Sequence, residues 1–222
     1  AGGWVGGGAG RGGLFAAAAA AGRGNAVPVL ERDVLSGDPK PRAGVPQGEQ
    51  PHVFLFRGLA ALEDLLPGSR QDLLGAGAVP FDTGDLPWLA EYGWLPVGQR
   101  AFEVLSMTRP LFEQVIRRRV EALAGVQIRA GSKVISLRRS DHEREAGLAD
   151  GPTVLADLAV DASGRSSRLP VWLRDARAGN APFPLLAAVC GHASASSAPA
   201  PRGPRPARGP RPAPPAGRGA VP

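Results

Sequence analysis

Trp4-Val5-Gly6-Gly7-Gly8-Ala9-Gly10-Arg11-Gly12-Gly13 opens the stretch whose reading decides the fold. It runs on through an alanine-rich segment at 14–21 and a break at Gly22-Arg23-Gly24-Asn25. An apolar run follows, Ala26-Val27-Pro28-Val29-Leu30, closing on Glu31-Arg32-Asp33. The order is strand, glycine turn, helix, strand, acid, as expected of a βαβ unit that holds a dinucleotide. Gly8, Gly10 and Gly13 satisfy G-x-G-x-x-G, and Glu31 follows Gly8 by 23 residues, near the spacing of about 20 at which a carboxylate meets a ribose. Backbone N–H groups at a helix start, with no Cβ in the way, approach a pyrophosphate and offer it the positive end of the helix dipole. A cluster this dense also meets the pattern by chance, and without its flanks it reads as a flexible glycine-rich segment. Two features count against the nucleotide reading. The first strand holds only Trp4 and Val5 as good strand formers, and Pro28 removes a ladder donor from what should be a central strand.

Composition divides the chain in two. Residues 193–222 contain only Ala, Ser, Pro, Arg, Gly and one Val, and such a segment cannot bury enough apolar surface to offset its ordering entropy. A tail over 191–222 is therefore expected to be disordered, and a body over 1–190 to form one α/β domain. The net charge is +6, and Arg202, Arg205, Arg208, Arg211 and Arg218 supply five of those charges without an acid among them, leaving +1 for the body. The high isoelectric point thus belongs to the tail and says nothing of the body's partner. No aromatic residue interrupts the tail for base stacking, so no specific nucleic-acid binding is expected. Cys190 is the single cysteine, which excludes an intrachain disulfide and makes a cytoplasmic address the default. No run of 18 apolar residues marks a membrane span.

Further on, Pro41-Arg42-Ala43-Gly44-Val45-Pro46-Gln47-Gly48 leads into His52-Val53. His52 has no second imidazole or thiolate near it, so no metal site is expected. Apolar residues at Leu59, Leu62, Leu65 and Leu66 predict a helix over 57–66, with a shorter one over 71–74 and a strand over 79–81. The segment 82–99 carries Trp88, Tyr92 and Trp94 in a Gly/Pro-rich context, which reads as a loop packed on the domain's flank. A strand over 102–106 then runs into Thr108-Arg109-Pro110, a suitable N-cap and first turn. The helix buries Leu111, Val115, Ile116, Val120 and Leu123, and Arg117, Arg118 and Arg119 form a solvated face. Two short strands follow over 126–129 and 133–137. The stretch 138–151 reads as charged and irregular, and 153–160 as one strand ending in Asp161-Ala162-Ser163-Gly164-Arg165-Ser166-Ser167-Arg168.

Taken together, Glu31-Arg32-Asp33, the Arg42 segment, Ser106-Met107-Thr108-Arg109-Pro110-Leu111 and the Asp161 segment resemble the FAD-dependent monooxygenases of the aromatic-hydroxylase and squalene-epoxidase type. The resemblance covers roughly residues 4–173. It implies a Rossmann-like FAD/NAD(P)-binding domain over 1–190, with Gly8, Gly10, Gly13, Glu31, Arg32, Arg42, Arg109 and Asp161 as cofactor contacts. The arginines suit the role, because a guanidinium is a permanently charged, bidentate partner for a diphosphate. By the same resemblance, NAD(P)H reduces the flavin, and dioxygen supplies the atom that hydroxylates or epoxidises a small organic substrate. No catalytic residue is singled out, since the cofactor carries the chemistry.

The chain departs from that family in two places. No later Gly-Asp-Ala segment follows Trp172, and a hairpin strand expected between Leu137 and Thr153 reads as deleted. The domain is therefore expected to be incomplete, an N-terminal fragment that holds FAD at its adenosine diphosphate end. Two alternatives remain open: a non-catalytic relative that binds partners through its basic tail, and an FAD-dependent isoprenoid reductase. Substrate and oligomeric state are not legible.

Overall fold

A computed structural model of the chain describes residues 3–42, 45, 48, 50–98, 101–139, 143–164 and 167–175, all within one compact unit, Ala1–Ala187. The expectations for the tail, for Cys190 and for Arg165-Ser166 lie outside the described residues.

Four short parallel strands form the central sheet: β1 (Trp4–Gly7), β2 (Val27–Leu30), β8 (Val126–Arg129) and β12 (Leu158–Asp161), in the order β12-β1-β2-β8. Gly7 is in register with Asp161 on one side and with Leu30 on the other, and Leu30 with Arg129. All four strands therefore end at one level, and the residues that follow them emerge at one edge. In open parallel sheets this carboxyl edge is where ligands sit.

Pro28 stands in an interior strand, against expectation. The Val27 N–H donates to the Gly125 carbonyl and the Glu31 N–H to the Arg129 carbonyl, so alternation points the missing Pro28 donor toward β1. There the ladder is interrupted between the Gly3–Ala26 bridge and the Gly6–Val29 pair. Pairing with β8 is complete across all four residues. The proline costs one ladder bond and leaves the strand in place.

Helix α1 (Arg11–Ala21) buries Gly13, Leu14, Ala17, Ala18 and Ala20, a small-residue face that lets it lie close to the sheet. Helix α4 (Arg109–Glu121) packs beside it. The Thr108 hydroxyl accepts the Leu111 N–H at 3.3 Å, as an N-cap should. Phe112 meets Phe15 edge-on at 6.3 Å and stacks on Phe54 at 4.9 Å. Leu14, Val29, Leu73, Leu105, Ile116 and Val120 complete a core in which each is at most 1 % exposed.

A second, antiparallel sheet, β3-β7-β4, joins Pro51–Phe54, Glu103–Thr108 and Val79–Asp82. Helices α2 (Phe56–Leu65) and α3 (Ser69–Gly75) lie between β3 and β4 in the chain. The aromatic segment forms a small hairpin, β5 (Leu89–Ala90) and β6 (Gly93–Trp94), with Trp88, Tyr92 and Trp94 exposed.

Three expectations are corrected. The stretch 138–151 is not irregular: Arg144–Leu148 is a strand, β10, between β9 (Val134–Arg139) and β11 (Val154–Ala156) in an antiparallel meander. The hairpin strand read as deleted is thus present. Its pattern was hidden by Arg144 and Glu145, whose cross-strand neighbours include Arg139 and Arg138. The single strand expected over 153–160 is two, changing sheets at Asp157, whose carboxylate accepts the Gly3 N–H at 2.7 Å. Finally, Arg117, Arg118 and Arg119 are not merely solvated. They donate to the carbonyls of Ser36, Gly37 and Pro67 respectively, and Arg119 also pairs with Asp72, strapping two loops to α4. Among the described residues no helix is long and apolar enough to cross a membrane.

At Gly13, an added Cβ would overlap the Gly8 carbonyl oxygen. Gly13→Ala should therefore force α1 off the sheet and cost about 3 kcal/mol or more, read as a fall in the urea unfolding midpoint. A second outcome concerns acid. The Glu63 carboxylate accepts the N–H groups of Arg70 and Gly68 at the start of α3, and these hold it below the usual carboxylate range. A depressed folded pKa gives stability that is present above the unfolded value of about 4.3 and is lost as pH falls through the folded one. Glu63→Gln should flatten the acid limb of a melting-temperature profile below about pH 4 and leave the neutral limb shallow.

Candidate functional site

The carboxyl edge of the parallel sheet opens into a cavity of about 740 Å³. Gly8 and Gly10 after β1, Glu31 and Arg32 after β2, and Asp161 at the end of β12 line it, with Arg42 and Arg109 reaching in from the loop and from α4. Seven of the eight residues singled out from sequence therefore share one space. Gly13 does not line it; it lies beneath, in the contact between α1 and the glycine turn.

Each glycine has a different reason to be there. Gly8 has φ +98°, and a Cβ on it would meet the Ala162 carbonyl oxygen at 2.8 Å. The backbone after β12 thus lies directly on the glycine turn, and the Ala162 N–H donates to the Gly7 carbonyl at 2.8 Å. Gly10 is the N-cap of α1 and offers no side-chain cap. A Cβ there would touch nothing but Arg42 Nη2, at 3.8 Å, so packing does not demand glycine at this position. The Leu14 N–H reaches the Gly10 carbonyl at 3.0 Å, which leaves the N–H groups of the first turn without intrahelical partners.

Glu31 is 4 % exposed. One carboxylate oxygen accepts the buried Ala9 N–H at 2.6 Å and faces Arg42 Nη1 at 3.0 Å; the other accepts the Asp33 N–H at 3.0 Å. The acid expected to meet a ribose thus also pins the glycine turn to the end of β2. Arg42 is shared among three carboxylates, Glu31, Asp33 at 3.1 Å and Glu113 at 3.2 Å. Burial works to lower its pKa, but the charges of Glu31 and Glu113 and their hydrogen bonds outweigh it, and the net direction is up. Arg109 donates to Glu113 at 2.6 Å. Arg32 is half exposed beside Asp33. Asp161 caps its own turn, accepting the Ser163 N–H at 2.9 Å and the Ser167 hydroxyl.

Arg11 and Lys133, which sequence reasoning passed over, line the same cavity, as does Arg168 of the Asp161 segment. Burial, then the Arg109 cation, lowers the Arg11 pKa against the opposing pull of Glu113. Arg11 could have been found, since it stands inside the glycine motif. Lys133 carries no local signal, whereas Arg168 closes the Asp161 segment. With Arg32, Arg42 and Arg109 they make a basic wall, and such a wall suits a polyanionic ligand. The tryptophan hairpin contributes nothing to it. Among the described residues no group of three or more His, Cys, Asp or Glu side chains is placed to hold a metal.

No family model matches the sequence. Protein Rv3254 of Mycobacterium tuberculosis (strain ATCC 25618 / H37Rv) is 35 % identical over 169 residues, which are 66 % of this chain and 34 % of that protein. The chain thus spans about a third of that relative's length. Among solved structures, the Diels-Alderase PyrE3 of pyrroindomycin biosynthesis superposes with a TM-score of 0.59 at 21 % identity, over 78 % of this chain and 35 % of that one. The tetrameric 2-methyl-3-hydroxypyridine-5-carboxylic acid oxygenase does so with a TM-score of 0.53 at 23 % identity, over 71 % and 38 %. The mixed α/β fold is therefore shared with an oxygenase and with a Diels-Alderase.

Removing the Glu31 carboxylate should orphan the Ala9 amide and one face of Arg42. Glu31→Ala should lose at least about 1–3 kcal/mol for the buried amide alone, measured as unfolding free energy in urea at neutral pH.

Proposed function

We propose that this chain is the FAD-binding part of a flavoprotein monooxygenase-like oxidoreductase, with residues 1–190 forming a Rossmann-like domain. The observation that carries the reading is the meeting of Gly8, Gly10, Glu31, Arg42, Arg109 and Asp161 in one cavity at the carboxyl edge of a parallel sheet. They come from separated stretches of the chain, and chance composition gives no reason for their convergence.

The donor set fits the adenosine diphosphate half of FAD. Open N–H groups at the start of α1 and two guanidinium groups suit the diphosphate. The Glu31 carboxylate suits ribose hydroxyls, and the space above Gly10, free of any Cβ, admits a close backbone approach. Apolar groups of the lining, Val134 and Leu137, suit an aromatic base. FAD, when bound, supplies the redox chemistry, accepting electrons from NAD(P)H and activating dioxygen toward a small organic substrate. The chain's own residues bind and orient its diphosphate end. The oxygenase among the fold relatives supports this class. The Diels-Alderase is the reason to test binding and turnover separately, because fold alone does not fix chemistry.

The purified chain, refolded with excess FAD and desalted, should retain yellow flavin absorbance. ADP should displace the flavin and riboflavin, which lacks the diphosphate, should not. Arg42→Ala should weaken FAD binding about tenfold or more. Absence of flavin after refolding, or displacement by riboflavin and not ADP, would overturn the assignment.

A further inference from the structure

Glu113 belongs to none of the sequence motifs, yet it touches two of the cavity arginines, Arg42 and Arg109. It sits on α4, one turn after Arg109, and is 7 % exposed. Its Oε1 accepts the Nε–H of Arg109 at 2.6 Å and its Oε2 the Nε–H of Arg42 at 3.2 Å. Both arginines are thus held by the inner nitrogen. A guanidinium gripped at Nε has its plane fixed; for Arg42, Nη1 is taken up by Glu31 and Asp33, while Nη2 lies over Gly10, 3.8 Å from where a Cβ would be.

Charge reinforces the geometry. Arg11, Arg42 and Arg109 converge on the start of α1, and the like charges of Arg11 and Arg109 act on each other. Arg42 has Glu31 and Asp33 as further partners; the ion pair of Arg109 is with Glu113. Glu113 is the buried anion that faces Arg42 and Arg109 together and offsets the cost of burying their charges.

We propose that Glu113 is a positioning residue for diphosphate recognition, a single carboxylate that orients two guanidinium groups toward the ligand without touching it. This rests on the reading of the cavity as a nucleotide site. Replacement by glutamine keeps the shape, but the carboxamide accepts from one arginine only and sets an N–H₂ against the other.

The test compares ligands that differ in phosphate. Calorimetric or competition titrations of the parent chain and of Glu113→Gln should use ADP and adenosine. The variant should bind ADP about tenfold or more weakly and adenosine within twofold of the parent. Unchanged ADP affinity, or equal losses for both ligands, would overturn the proposal, the second meaning that Glu113 only holds the fold. If Glu113→Gln does not fold, Glu113→Asp serves, since it keeps the charge but is too short to reach both Nε groups, and the same selective loss is expected. A parent that binds neither ADP nor FAD removes the cavity reading and this proposal together. A parent that binds ADP no better than Glu113→Gln removes this proposal alone.

Discussion

The architecture depends on how closely three pieces of backbone approach one another at the end of β1. The Gly8 carbonyl lies where a Gly13 side chain would be, and the Ala162 carbonyl lies where a Gly8 side chain would be. The first contact sets α1 against the sheet. The second brings the turn after β12 over the glycine loop. Neither approach survives a methyl group, because interiors at this density have no slack to absorb one. The cavity exists because the packing beneath it leaves the Gly10 side open.

Above that contact the site is organised by charge. Glu31, Asp33 and Glu113 surround Arg42, and Glu113 continues the chain of pairs to Arg109. Buried ions of this kind are costly unless every partner is present, so the network ties the end of β2, the loop after it and the start of α4 into one unit. Glu31 is the residue that joins the packing of the glycine turn to the cavity. It satisfies the Ala9 amide of the glycine turn and faces the same cavity as the open helix terminus. Loss of any one member should be felt by the others, and additivity is not expected among them.

Local pattern was a good guide to some elements and a poor one to others. Helix α4 was legible in its cap, its first-turn proline and its apolar spacing, all properties of consecutive residues. Strand β10 was not, since Arg144 and Glu145 make it look like a charged loop. What makes it a strand is pairing with β9 and β11, whose register lies outside the segment itself. Pro28 misled in the opposite direction. It reads as a strand breaker, but only one of the two neighbours of β2 needs the missing donor. Arg117, Arg118 and Arg119 gave the dipole-compatible surface of an isolated helix, while the folded chain uses them to hold loops far away in sequence.

The order strand, glycine turn, helix, strand, acid and the spacing of Gly8, Gly10, Gly13 and Glu31 are written in the sequence, because the steric freedom of glycine and the placement of an acid at a strand end are local properties. The arginines at 42 and 109 and the aspartate at 161 were legible as candidates through their motifs. That they share one cavity with the glycine turn was decided by the tertiary structure, through the common level at which β1, β2 and β12 end. The pairing of Glu113 with Arg42 and Arg109 was decided there too. A carboxylate four residues from one arginine and 71 from another has no sequence signature for the pair, and only the placement of α4 beside the loop that carries Arg42 brings the second guanidinium within its reach.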